Sequence, residues 1–386
     1  MATPFWDRSV RYRLLAIALT PALIILPLVL GVCFYRWSEK FDALTTAKVR
    51  NDLVIAEQYL DRLEQSQLRR IDAVAASAGL DAAVDRTRRE PGALGLYLES
   101  AARSQGLDFL FVITDDGAVF GGDPQVDPAA VRRDRPSVRA ALAGQARTDL
   151  EVFEPAELRA LAPGLAERAR IGIVDPSGRA AAGGGEVDRG LVLQSARAIA
   201  LPGGRTGVLV GGVLLNRNLA FVDRINSLVY HGGGLLGADK GTATLFLDDV
   251  RISTNVRLFD QDRAVGTRAS PQVRDAVLDR GDVWLGRALV VDDWYVSAYE
   301  PLTDSQGRRV GMLYVGFQEH PFVAARHEAL WLIVGAFLLA VLATVPLFLF
   351  WARGIFRPLE RMVRTIDRIE AGDASARIGA LGGQDE

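Results

Sequence analysis

Two short stretches of this chain carry arginine, hydroxyl and phenol side chains at two-residue spacing. In Val250–Arg257, the apolar Val250, Ile252 and Val256 alternate with Arg251, Ser253, Asn255 and Arg257. A period of two puts each set on its own face of a strand. In Trp294–Glu300 the same spacing gives Tyr295, Ser297 and Tyr299 a common face. Converging on one sheet, these groups could hold a small organic anion, with the arginine gripping a carboxylate through two parallel N–H donors. The competing expectation is that the tyrosines only pack and the arginine faces water. Earlier in the chain the corresponding candidates are Phe109, Phe111 and Arg170.

Other chemistry finds little material. Cys33 is the single cysteine, and His231, His320 and His327 are the only histidines, so neither an intramolecular disulfide nor a metal site is expected. Gly232, Gly234 and Gly237 match a dinucleotide-binding pattern, but a helix should precede them and a strand follow, the reverse of what that fingerprint needs. There is no Gly-Lys phosphate loop and no Gly-x-Ser-x-Gly elbow, so no cofactor and no catalytic group are expected. A net charge of −2 gives nucleic acid no handle. Lys40, Lys48 and Lys240 are the only lysines, a skew towards arginine that reads as coding bias.

The elements that must position these residues begin at a membrane. Mean hydropathy is +0.14, and the excess sits in two uncharged runs, Leu14–Tyr35 and Ala329–Trp351. Each is long enough to cross a hydrocarbon core of about 30 Å. For the first run a cleaved signal peptide is the alternative. Such cores are usually about 7–15 residues, however, and no small-residue cleavage site follows. Arg8, Arg11 and Arg13 precede the first run, and Arg353, Arg357, Arg361, Arg364 and Arg368 follow the second. The excess of arginine at both outer ends predicts cytoplasmic termini, with residues from about 36 to 328 outside.

Between the spans the chain reads as a long helix and then hairpins. From Trp37 to about Gly79 there is no proline, and Leu53, Ala56, Leu60, Leu63, Ile71 and Val74 recur on one helical face. This predicts a stalk, paired with another copy. Strands are expected at Phe109–Thr114 and Ile171–Val174, then in a long hairpin with arms near Gly190–Ala200 and Arg205–Leu215. A helix over Asn218–Tyr230 and a glycine break follow. The order then repeats with a hairpin at Thr242–Leu247 and Val250–Val256, a helix near Pro271–Arg280, a strand at Val283–Val291, and a closing hairpin at Trp294–Glu300 and Arg308–Phe317. The repeated layout predicts two modules, each a five- or six-stranded antiparallel sheet covered by helices.

The runs Gly241–Phe246, Val250–Val256, Gly266-Thr267, Tyr299–Leu302 and Gly311–Gly316 are similar to the fused Cache 3/Cache 2 sensors of histidine kinases and chemoreceptors. The likeness spans about residues 40–325 and is strongest from Thr242 to Phe317. It implies a double Cache sensor of two PAS-like modules that binds a small molecule. Amino-acid-binding double Cache sensors carry an arginine two residues before a Trp-Tyr pair, whereas Asp292 precedes Trp294-Tyr295 here.

After the second run, Leu359, Met362, Ile366 and Ile369 repeat by three and four residues, the seam of a parallel helical bundle. With Pro358 at the entrance, Gly372-Asp373 at the helix end and Asp385-Glu386 after it, this resembles a HAMP linker. The expected organisation is an α+β membrane protein: cytoplasmic 1–13, transmembrane helix 14–35, stalk helix 36–80, membrane-distal module 81–235, membrane-proximal module 236–325, transmembrane helix 329–351, and an incomplete HAMP linker over 352–386. The expected function is that of a homodimeric receptor in the bacterial inner membrane. It would sense a small ligand and signal through an output domain beyond residue 386. A histidine kinase acting on a response regulator leads; a chemoreceptor or a cyclic-di-nucleotide enzyme is the alternative. A membrane-anchored extracytoplasmic enzyme would need a polar catalytic constellation, and a scaffold would not need the linker.

Overall fold

The computed structural model describes residues 10–120, 134–181, 184–230, 241–258 and 262–370. For residues 10–19, 21–23, 163, 349 and 352–370 it describes the backbone alone. Gly232, Gly234 and Gly237, and the linker residues after Glu370, lie outside the described residues.

The chain divides into two compact units, one made of Met1–Asp42 with Phe322–Glu386 and the other of Ala43–Pro321. The first unit is helical. Helix α1 (Val10–Ala75) begins there and the closing helix runs from His320 to Glu370. Inside the unit Arg326 Nη1 donates to Ser38 Oγ at 3.2 Å, and the rings of Phe41 and Phe322 lie 5.9 Å apart. His320–Phe348, with mean hydropathy 2.5, is the one stretch among the described residues long and apolar enough to cross a membrane. The seam positions Leu359, Met362, Ile366 and Ile369 are helical in backbone, with no break at Pro358.

Among the described residues the second unit holds two larger antiparallel sheets and a two-stranded ribbon. Helices α2 (Ala78–Arg86) and α3 (Ala93–Gln105) follow α1, then strand β1 (Phe109–Thr114). Next come α4 (Pro136–Leu142), β2 (Arg147–Phe153), α5 (Pro155–Leu161) and α6 (Pro163–Ala169). The short strands β3 (Ile171–Gly172) and β4 (Glu186–Val187) pair with each other, and β5 (Gly190–Leu201) and β6 (Arg205–Leu214) form the long hairpin. The first sheet runs β1-β6-β5-β2, four strands rather than five or six, because Ile171–Val187 makes a separate ribbon.

Period-two alternation explains why β1 is apolar throughout. Phe109, Phe111 and Ile113 pack against α4–α6, while Val112 packs on the other face with Ile71 and Val74 of α1 and with α2 and α3. The stripe of α1 predicted from the sequence is buried, with Leu53, Ala56, Leu60, Ile71 and Val74 all shielded from water. At Ile71 and Val74 it packs against the chain's own first sheet and helices α2 and α3. Gln67 fixes this packing by donating to the Leu193 carbonyl at 2.6 Å.

Helix α7 (Leu219–Val229), capped by the Asn218 side chain, leads to the second sheet. Its strands are β7 (Thr242–Leu247), β8 (Val250–Thr254), β9 (Trp284–Val290), β10 (Asp293–Thr303) and β11 (Arg309–Gln318), in the order β8-β7-β11-β10-β9. Helix α8 (Pro271–Arg274) passes into a π-helical turn (Asp275–Arg280), and α9 (His320–Glu370) leaves the sheet. The free edge of β8 is covered by its own connection: Arg251 N–H donates to the Thr267 carbonyl, Gly266 N–H to the Arg251 carbonyl and Ala269 N–H to the Asp249 carbonyl.

Candidate functional site

Pairing across the second sheet decides which side chains share a face. Thr244 stands opposite Thr254 and Leu245 opposite Ser253, but the next residue of β7, Phe246, stands opposite Arg251. Ile252 is therefore an extra residue on β8, a bulge. It breaks the alternation read from the sequence. Arg251 shares the face of Phe246, whereas Ser253 turns to the other face and donates to the Asn218 carbonyl at 2.8 Å.

On the Arg251 face, one row across the strands reads Trp284, Tyr299, Tyr314, Thr244 and Thr254. The adjacent row holds Met312, Phe246 and Arg251. Val256, Ala264, Val273, Ala276 and Val277, from the connection and the π-helical segment, cover this face. The rings are closely spaced, with Tyr299 and Tyr314 at 4.7 Å and Phe246 and Tyr299 at 6.0 Å between centroids.

Arg251 is fully buried, at 0% exposure. Its Nη1 donates to Thr267 Oγ1 at 2.7 Å and to the Arg268 carbonyl at 3.1 Å, and its guanidinium lies 5.0 Å from the centre of the Phe246 ring. Among the described residues no carboxylate is paired with the charge, and the nearest polar company of Nε and Nη2 is phenolic, the Tyr299 hydroxyl within hydrogen-bonding reach. Burial holds the guanidinium pKa below the usual arginine range, and the phenols of Tyr299, Tyr314 and Tyr295 offset this in part. Burial also pushes Tyr299 up to about 12, although the nearby guanidinium pulls against it. Tyr295 is likewise pushed to about 12 by burial and by Asp293 and Asp292, and burial raises Tyr314 well above the ordinary tyrosine value. At neutral pH all three are neutral hydroxyls around a cation.

An open cleft of about 800 Å³ borders the face; its walls include Thr242, Asn255, Arg257, Asp292, Asp293 and Tyr295. Tyr295 belongs to both places, since it lines the cleft and also interacts with Arg251.

Of the sequence-predicted residues, Arg251, Tyr295 and Tyr299 come together. Ser297 shares their face, but its Oγ turns back to the Tyr295 carbonyl at 3.4 Å. Asn255 is spent on backbone: Oδ1 accepts from Ala243 N–H at 2.7 Å and Nδ2 donates to the Gly241 carbonyl at 3.3 Å. In the first sheet Phe109 and Phe111 are core residues, and Arg170 is an exposed partner of Glu186 at 3.6 Å. The sequence reading missed Tyr314 and Trp284. Both follow from hairpin register, since β10 places Tyr299 opposite Tyr314 on one side and Trp284 on the other. A two-residue turn between Val290 and Asp293 was the available signal.

Residues 213–329 match the family model described as Single cache domain 3. This segment is similar to a Cache domain. It contains α7, the second sheet and the Arg251 face. Among curated proteins none matches the sequence significantly. Solved structures similar to the chain include the periplasmic domain of Vibrio cholerae LuxQ, at 14% identity over 72% of this chain and 99% of that one, TM-score 0.36. The sensor domain of the V. cholerae histidine kinase DctB aligns at 11% identity over 72% and 98%, TM-score 0.39. The ligand-binding domain of the Pseudomonas aeruginosa amino acid chemoreceptor PctB, in complex with L-Arg, aligns at 14% over 73% and 97%, TM-score 0.31.

Proposed function

We propose that the chain is the sensing part of a transmembrane receptor whose Cache domain binds a small organic anion outside the cytoplasm. Arg251 carries this reading. A buried charge without a counter-charge costs several kcal/mol, a large share of a domain's net stability of about 5–15 kcal/mol. An anion reaching Nε and Nη2 would supply the missing partner, with the hydroxyls of Tyr299 and Tyr295 beside it. Ligand binding would then shift a conformational equilibrium by its differential affinity for two states.

Transmission would run through α9 to the linker. The apolar stretch His320–Phe348 and the arginines beyond it support a membrane span with a cytoplasmic end. The three-and-four spacing of Leu359, Met362, Ile366 and Ile369 supports a HAMP bundle in a homodimer. The output would be a histidine kinase acting on a response regulator, with a chemoreceptor or cyclic-di-nucleotide enzyme as the other form of the same receptor.

The test is thermal unfolding of the full chain in lipid nanodiscs with acetate, succinate, butyrate and benzoate. At least one should raise the melting temperature, and Arg251→Gln should remove the rise. Binding that is indifferent to Arg251→Gln would sink the site.

A further inference from the structure

The α1 side of the first sheet carries a cleft of about 260 Å³, away from the Arg251 face, between α1, the β5–β6 hairpin and the start of α7. Tyr59, Leu63, Ser66, Gln67 and Arg70 line it from α1, at spacings that keep them on one helical face. Its floor is Leu193 and Val213, directly opposite each other on β5 and β6, with Leu215 beyond. The Phe221 ring of α7 closes one end, 5.7 Å from the Tyr59 ring. Ser66, Gly106 and Ala220 are small, so the three elements meet without filling the space between them.

Charge selects what fits. Among the described residues no carboxylate lines the cleft, and Arg70 stands at its rim, where Nη1 donates to the Gln105 carbonyl at 2.9 Å. Burial raises the pKa of the Tyr59 phenol, and the guanidinium groups of Arg224 and Arg70 pull against it, so both positive charges are felt inside the cleft. The nearby carboxylates are already taken, Asp72 by Arg197 at 3.0 Å and Asp223 by Arg263 at 2.8 Å. An apolar floor, an aromatic end and an unneutralised positive rim complement a flat apolar body with one anionic group. At interior packing density the cleft has room for roughly ten to twelve non-hydrogen atoms, the size of one aromatic ring with a short acid arm.

We infer that this cleft binds a small aromatic monocarboxylate, its ring on Leu193, Val213 and Phe221 and its carboxylate at Arg70 and Ser66. The site is independent of the role proposed for Arg251. Its occupant touches α1, the first sheet and the helix that leads into the second sheet, so binding favours the arrangement in which these three are docked.

Ala220 lines the cleft, is exposed and holds no part of the ligand, which makes it the place for a reporter. The full chain in lipid nanodiscs, carrying Cys33→Ala and Ala220→Cys, is modified with N-ethylmaleimide in the presence of 3-phenylpropionate, phenylacetate or benzoate. The neutral 3-phenylpropan-1-ol and 2-phenylethanol are the matched controls, and acetate supplies the carboxylate without the ring. At least one aromatic acid should slow the modification in a saturable way. Exchanging that acid for its alcohol, or Arg70 for glutamine (Arg70→Gln), should weaken the protection about threefold to tenfold, as for a charged hydrogen bond at a wetted rim. Arg251→Gln should leave the protection unchanged. No protection by any aromatic acid, equal protection by the alcohols or by acetate, or protection indifferent to Arg70→Gln overturns the inference and leaves the reading of Arg251 untouched. Protection that disappears with Arg251→Gln overturns it as well, since the acid would then be acting from the other site.

Discussion

Each sheet buries one arginine over a phenylalanine ring, and the two are held in opposite ways. In the first sheet Arg135 Nη1 faces Glu151 at 3.4 Å and Nη2 faces Glu157 at 3.0 Å, with the guanidinium 3.7 Å from the centre of the Phe153 ring. Glu151 in turn accepts from Ser305, in the turn between β10 and β11. In the second sheet Arg251 is the more deeply buried of the two and has phenols where Arg135 has carboxylates. Burial alone therefore does not mark a site. Arg135 is compensated within the chain and can be read as architecture; Arg251 has only phenols and no carboxylate beside its guanidinium among the described residues.

The largest effect should come from breaking the compensated pair. Arg135→Met leaves Glu151 and Glu157 with buried charge and no counter-ion, so it should cost about 3–5 kcal/mol in denaturant unfolding of the full chain. A loss below about 1 kcal/mol would erase the contrast. Arg251→Met removes an uncompensated charge and replaces it with an apolar chain of similar length. Without ligand its stability should stay within about 1 kcal/mol of the parent or rise. A loss above about 3 kcal/mol would make Arg251 structural, like Arg135.

A pH dependence sharpens the comparison from the carboxylate side. Glu64 on α1 is pushed up to about 7 by burial, then by Asp61 and Asp149, with no cation offsetting it. Its folded pKa is thus above its unfolded value of about 4.3. Its contribution is fully present below that value and is lost as pH rises through about 7. The melting temperature of the parent should fall between pH 5 and pH 8 by more than that of Glu64→Gln. Equal slopes would refute the shift. Asp149, Glu151 and Glu300 are raised in the same direction by burial, so a residual slope should remain.

The smallest effect separates two neighbouring phenols. Tyr314 Oη shares a hydrogen bond of 2.9 Å with Thr242 Oγ1, so Tyr314→Phe should cost about 0.5–1.5 kcal/mol. Tyr299 lies within hydrogen-bonding reach of the Arg251 guanidinium, so Tyr299→Phe should weaken binding when ligand is present, whereas Tyr314→Phe should not. The reverse order would reassign the structural and the binding hydroxyl.

Strand positions and turns were legible because apolar alternation and turn residues are local signals. β1, β5, β6, β7, β9, β10 and β11 fall within a few residues of their expected places, as do α7 and the buried stripe of α1. β2 was not legible. Leu150 and Val152 alternate with Asp149 and Glu151, but the acidic residues are buried with Phe153 instead of facing water, and Arg147, Arg135 and Ser305 make them tolerable there. Helices α4, α5 and α6, of seven residues each, are too short to show a helical period and exist by docking on the first sheet.

By itself, then, the sequence determined that Arg251, Tyr295 and Tyr299 lie on strands of one sheet, because residue type and period two are written in the chain. The register of β8 against β7 decided that Ser253 leaves the face, because the extra residue at Ile252 inverts every side chain beyond it. Hairpin pairing brought in Tyr314 and Trp284. Only the folded cover of Val256, Ala264 and the π-helical segment made the guanidinium dry, and dryness is what turns an ordinary strand arginine into a charge that needs a partner.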